Sequence, residues 1–172
     1  MRIACLTTAG PGQTDRLLHD FALRAAARGL RLSGTVQVNS DCGPDRPCDM
    51  DVRVLPDGPV IRISQSLGAG ARGCRLDPEA LESAVAEAGA RLAAGADLVL
   101  VNKFGKHEAD GRGFRGVIAD AVAADVPVIV GVNGLNAAHL ADFLGEEPER
   151  LDPAPQALDA WLARGMPARR DA

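Results

Sequence analysis

Tyrosine is absent from this chain, and aromatic residues make up only 3% of its 172 positions. The core must therefore be built from Ala, Val, Leu and Ile. The single tryptophan, Trp161, is expected to anchor the last helix rather than stack on a base. Long apolar runs are missing as well, since no stretch approaches the roughly 20 residues needed to cross a bilayer. The opening MRIACLTTAG is too poor in apolar residues for a signal peptide and runs straight into a strand pattern, which points to the cytoplasm. Positive charge is not in excess: 19 Lys and Arg face 23 Asp and Glu, for a net charge of −4. That balance speaks against nucleic acid or a membrane surface as a general partner, while local basic clusters remain open. Four cysteines are too few for a disulfide framework in a chain of this size, so thiols or metal ligands are expected.

What is present suits one domain over 1–172, with 47% hydrophobic residues and no internal repeat. Residues 3–6 read as a short buried strand. Thr14 or Asp15 is expected to cap a helix whose Leu17, Leu18, Phe21 and Ala25 share one face, and Gly29 stops it. A strand over 30–38 follows, then a Pro, Gly, Asp and Cys loop over 39–48. Residues 50–55 and 60–64 flank the turn Pro56-Asp57-Gly58-Pro59 and read as a β-hairpin. The hairpin and the cysteines form an insertion over 39–74. Asp77-Pro78-Glu79 is a strong helix start, with Leu81, Val85, Ala88 and Leu92 on the apolar face and Gly95 at the end. Apolar runs at 98–101 and 126–132 read as buried parallel strands, with helices over 114–124 and 136–144. A Pro-rich linker and a short helix around 157–163 make up the C-terminal part, 146–172.

Strands alternating with helices imply a three-layer α/β fold, a mainly parallel sheet with helices on both faces and an inserted hairpin. In such sheets ligands collect at the carboxyl ends of the strands. The loops there are 7–14, 39–48 with its hairpin, 102–113 and 133–136.

The first loop reads TTAGPGQT. A phosphate-binding P-loop would read G-x-x-x-x-G-K-[ST] at this spacing. Gly12 and Thr14 are in register, but Thr7 stands for the first glycine and Gln13 for the lysine. Gly10, Gly12, Gln13 and Thr14 can form a backbone nest for phosphate at a helix N-terminus, with Thr14 still able to contact Mg²⁺ beside a nucleotide. A plain turn between strand and helix is the competing reading. The lost cation is worth roughly tenfold to a hundredfold in affinity, so another cation is needed.

The loop NKFGKHEADGRGFR supplies several: Lys103, Lys106, Arg112 and Arg115. It begins at Asn102, where a P-loop enzyme would hold a magnesium-orienting Asp. The cations can clamp an anion, and Glu108 is the candidate to orient water or accept a proton. A solvated, salt-bridged loop is the alternative. Arg72 and Arg75, flanking Cys74 after a glycine-rich stretch, also suit an oxyanion. Cys42, Cys48 and Cys74, completed by His107 or Asp49, can hold zinc or a softer metal, although their spacing is not that of a zinc knuckle. A Cys48–Cys74 redox pair is the other use of these thiols, and Cys5 is expected in the core. His19 and His139 are expected to be structural or on the surface.

NKFGKHEADGRGFR, with CDMDVR, RISQSLGAGARGCRLDP and the altered first loop, resembles one bacterial family of domains of unknown function. That family is similar to the small P-loop nucleoside-triphosphatases and is often encoded near molybdate-transport genes. The resemblance covers residues 2 to about 145 and implies a P-loop-like fold. It implies no particular activity, and the changes at Thr7, Gln13 and Asn102 weigh against hydrolysis more than against binding. Three functions are therefore in play. The first is a domain binding a nucleotide or another small phosphate-like anion, with weak or absent NTP hydrolysis. The second is a non-enzymatic binder of molybdate, another oxyanion or a metal, partnered with a molybdenum-handling protein. The third is a ligand-free regulatory or assembly module. A homo-oligomer is compatible with each.

Overall fold

The computed structural model describes residues 1–39, 49–65 and 75–165. Its elements begin with β1 (Ile3–Leu6), α1 (Gln13–Ala27), β2 (Leu32–Asn39), β3 (Met50–Val54) and β4 (Val60–Arg62). There follow α2 (Pro78–Ala93), β5 (Leu98–Phe104), α3 (Lys106–Ala109), α4 (Arg115–Ala123) and β6 (Val128–Val132). The last are α5 (Ala137–Leu144), β7 (Glu149–Arg150) and α6 (Pro155–Ala163).

Among the described residues the strands form one seven-stranded sheet in the order β4-β3-β2-β5-β6-β1-β7. From β2 to β7 all neighbours run parallel, whereas β3 and β4 add antiparallel to the β2 edge. The parallel strands are the uninterrupted apolar runs, because a strand covered on both faces has no polar side to alternate with. Along β5 the side chains still divide by the pleat. Leu98 and Leu100 join the core under α1 and α6, with Phe21 and Leu158, while Val99 and Val101 join the core under α2 and α4, with Ala88 and Ile118. Trp161 of α6 lies in the first of these cores, its indole N–H donating to Glu149 Oε2 at 3.0 Å and Arg2 stacked on its ring. No helix among the described residues is long and apolar enough to cross a membrane.

Three of the differences from the sequence reading have a tertiary reason. α1 is entered through Gly12 in the left-handed region (φ 70°), with no side-chain cap from Thr14 or Asp15. Both side chains are engaged elsewhere: Thr14 Oγ1 pairs with Thr8 Oγ1 at 2.9 Å, and Asp15 accepts from Asn102. β5 continues past Val101 through the polar residues to Phe104. It does so with a register shift, Val101 facing Val130 but Phe104 facing Val132, which is one extra residue in β5. The two-residue β7 is exposed and charged, so no apolar pattern announced it; pairing with Ala4 and Cys5 alone makes it a strand.

Two glycines carry close approaches that this architecture needs. A Cβ at Gly34 (φ +100°) would lie 1.9 Å from the Leu100 carbonyl oxygen across the β2–β5 pair. One at Gly131 would lie 2.4 Å from the Asn102 carbonyl oxygen and 2.8 Å from Thr14 Cγ2. The second brings the start of α1 down onto the ends of β5 and β6.

α2 begins as its sequence indicates, with Asp77 Oδ1 accepting from the backbone N–H groups of Glu79 and Ala80 at 3.0 and 3.1 Å. Asp77→Ala should lower stability by about 1 kcal/mol, read as a fall in the urea midpoint at unchanged m-value. An unchanged midpoint would remove the cap from the account of how α2 is placed.

Candidate functional site

The first loop satisfies itself. Gln13 folds back so that its Oε1 accepts from the Gly10 N–H at 3.3 Å, and its side chain fills the space over Gly10. Thr8 Oγ1 donates to the Gly10 carbonyl, and Thr7 Oγ1 donates to the Val132 carbonyl at 2.7 Å, tying the loop to the end of β6. The backbone donor that a nest would offer at Gly10 is thus already in use.

Asn102 joins this loop to the next. It is 2% exposed, and its Nδ2 donates to Asp15 Oδ1 at 2.9 Å. A carboxylate only accepts, so the amide orientation is set and Asn102 Oδ1 is left over. That oxygen is buried without a hydrogen-bond partner among the described residues. Magnesium is the ion a P-loop-like fold implies here. Thr14 is bonded to Thr8, Asn102 brings no charge, and Asp15, the nearby carboxylate, is held by Asn102. As arranged, these donors do not make a magnesium site.

Residues 102–114 wrap around a cleft of about 610 Å³ on the α2 face of the sheet, at the same carboxyl end. Met50, Val52, Ile63, Leu76, Leu81 and Phe114 give it apolar walls, and Thr35, Gln37 and Gln65 add polar groups. Lys103, Lys106 and Arg112 line it from exposed positions and form no ion pair among the described residues. Arg75 lines it too, 3.5 Å from Asp49 Oδ1. A cationic rim over apolar walls draws in an anion and gives its carrier something to pack against. Of the first loop, none of Gly10, Gly12, Gln13 and Thr14 reaches this cleft; Asn102 is the residue that borders both places.

Glu108, the sequence candidate for acid–base work, is 3% exposed and serves the loop. Its Oε2 accepts from the Gly105 N–H at 2.9 Å and its Oε1 from the Phe114 N–H at 3.4 Å. With each oxygen accepting from the backbone it closes the 105–114 turn, and it also lines the cleft. Arg115 turns away from the cleft. Its guanidinium stacks 4.2 Å above the Phe143 ring and donates to the Glu108 carbonyl.

The pairing that sequence reasoning missed is Glu82 with His107. His107 Nε2 and the Gly113 N–H both sit 2.9 Å from Glu82 Oε1. Bonding to His107, reinforced by Gly113, holds the Glu82 carboxyl below the usual carboxylate range. This interaction is present above the ordinary carboxylate pKa and is lost as pH falls through the lowered one. Glu82 is half exposed, so water screens the pair and its weight is small. Nothing in the sequence links positions 82 and 107, because only the packing of α2 beside α4 and β5 brings them together.

Cys42, Cys48, Cys74 and Arg72 lie outside the described residues. Among the described residues no group of three His, Cys, Asp or Glu side chains is arranged to hold a metal ion. Cys5 is buried in β1, and burial pushes its thiol pKa up.

The chain belongs to the family described as Protein of unknown function (DUF2478), which it matches over residues 3–161. The family resemblance carried by the NKFGKHEADGRGFR motif is thereby borne out. The chain is also 35% identical over 160 residues to a protein of Bradyrhizobium diazoefficiens named Molybdenum import ATP-binding protein ModC 2. That match covers 93% of this chain but only 18% of the relative, so the name describes a much longer protein. No solved structure matches the chain.

Proposed function

We propose that this chain binds a small phosphate-like anion, free or carried by a nucleotide, at the cleft bordered by residues 102–114, with little or no NTP hydrolysis. The observation that carries the reading is the group Lys103, Lys106 and Arg112, which lack ion-pair partners among the described residues and face an apolar-walled cleft. Clustered cations set up a local positive potential that attracts an anion. The ATP-binding name of the longer relative supports a nucleotide as the carrier. The P-loop-like reading of the fold rests on the order of parts: β1, a glycine-containing loop, α1, and a polar residue, Asn102, late in β5 with β6 between. Weak or absent hydrolysis follows from Gln13 in place of Lys, neutral Asn102 and a Glu108 whose oxygens are already bonded.

A second reading, molybdate as the anion, is supported by the same cations and by the molybdenum-import name of the relative. A thermal-shift screen of nucleotides, phosphate, sulfate, molybdate and divalent metals separates the two. A ligand at 100 times its Kd adds about 2.7 kcal/mol of stability, which raises the midpoint by several degrees in a chain of this size. Nucleotide-dependent stabilisation supports the first reading, and stabilisation by molybdate alone supports the second. No shift with any anion at millimolar concentration would refute both.

A further inference from the structure

His107 has a ring nitrogen with no partner among the described residues. Its Nε2 lies 2.9 Å from Glu82 Oε1, and a carboxylate can only accept, so Nε2 carries the proton. In the neutral ring this leaves Nδ1 with a lone pair. Nδ1 makes no hydrogen bond among the described residues, yet it is not among their buried unpartnered atoms, and His107 lines the cleft. The lone pair is therefore open to whatever the cleft holds. Glu82 fixes the ring from α2 and is itself steadied by the Gly113 N–H. The charged groups that line the same space are Lys103, Lys106, Glu108, Asp110, Arg112 and Arg75.

We propose that His107 Nδ1 reads a proton on the bound anion, so that the cleft selects a phosphate still carrying a P–O–H over fully ionised oxyanions such as sulfate and molybdate. The proposal rests on the phosphate-like-anion reading of the cleft. Lys103, Lys106 and Arg112 attract any oxyanion and cannot tell apart two of equal charge. An acceptor can. It takes a hydrogen bond from the hydroxyl of hydrogenphosphate, but sets its lone pair against a bare sulfate oxygen, leaving both unsatisfied. A phosphate ester offers the same hydroxyl only near or below its second pKa of about 6.

Isothermal titration of the full chain with inorganic phosphate, sulfate and molybdate at about pH 8 tests it, because hydrogenphosphate and sulfate then carry the same charge. Phosphate should bind about tenfold or more tightly than sulfate, the worth of one charge-assisted bond. His107→Leu should bring that ratio close to one while sulfate binding persists. Nitrogen NMR of the wild-type chain should show the Nε2–H tautomer, with the Nδ1 resonance moving on addition of phosphate. That arm decides the matter if His107→Leu does not fold. A parallel titration with methyl phosphate at the same pH, where the ester carries no proton, separates the two sources: it should bind no more tightly than sulfate, and binding equal to that of inorganic phosphate would overturn the proposal. Sulfate or molybdate equal to phosphate in the wild type, an Nδ1–H tautomer, or a ratio unmoved by His107→Leu would overturn the proposal and leave the cleft reading standing. No binding of any anion would overturn both.

Discussion

Glu108→Ala should destabilise the chain by roughly 2–5 kcal/mol, since it strips the acceptor from buried backbone donors that each cost about 1–3 kcal/mol when left unpaired. The donors are the N–H groups of Gly105 and Phe114, at the two ends of the turn that carries Lys106 and Arg112. Water cannot easily replace the carboxylate, because the residue is 3% exposed. Glu108→Gln is the sharper variant. One of its two terminal atoms becomes a donor facing a donor, so a loss of about 1–3 kcal/mol is expected, together with weaker anion binding as the turn loosens. A residue that merely orients water would behave differently: the Gln variant would keep stability and affinity and lose only turnover. Chemical denaturation beside a phosphate titration distinguishes the two. An unchanged urea midpoint in Glu108→Gln would return Glu108 to the catalytic candidates.

The double variant Lys103→Ala with Arg112→Ala should weaken binding of phosphate or a nucleotide by roughly a hundredfold, from two charge-assisted contacts of about 1.5–3 kcal/mol lost in part to solvent. Gln13→Ala should change affinity little, because Gln13 spends its side-chain oxygen on Gly10 rather than facing the cleft. Gln13→Lys carries the complementary test. It adds a cation at the P-loop lysine position but outside the cleft, so affinity for a nucleotide should change little. Isothermal titration reads all three. If Gln13→Ala proves the worse loss, the first loop holds the anion and the cleft does not. A rise of roughly tenfold in Gln13→Lys would likewise place the anion at the first loop.

The α/β architecture was legible in the sequence because its signals are local. Continuous apolar runs such as 98–101 can only be strands covered on both faces, and Asp77-Pro78-Glu79 starts a helix wherever it lies. The hairpin around Pro56-Asp57-Gly58-Pro59 follows from turn chemistry in the same way. Polar stretches carry no such period, which is why β5 was read as ending at Val101 rather than Phe104 and β7 was not read at all.

The candidate site was legible only in part. Lys103, Lys106 and Arg112 stand out by charge within one loop, and the structure brings them to one cleft. What each remaining side chain does was decided by partners far away in the chain. Asn102 meets Asp15 across 87 positions and His107 meets Glu82 across 25. Glu108 looks catalytic as a letter, and becomes a loop closure once Gly105 and Phe114 turn their N–H groups toward it. Composition, the apolar strand runs and the Asp77 cap are properties of short segments and were determined by the sequence alone. Which carboxylate is bonded, which cation is free and which face of the sheet opens into a cleft depend on contacts between segments, and only the tertiary structure decided them.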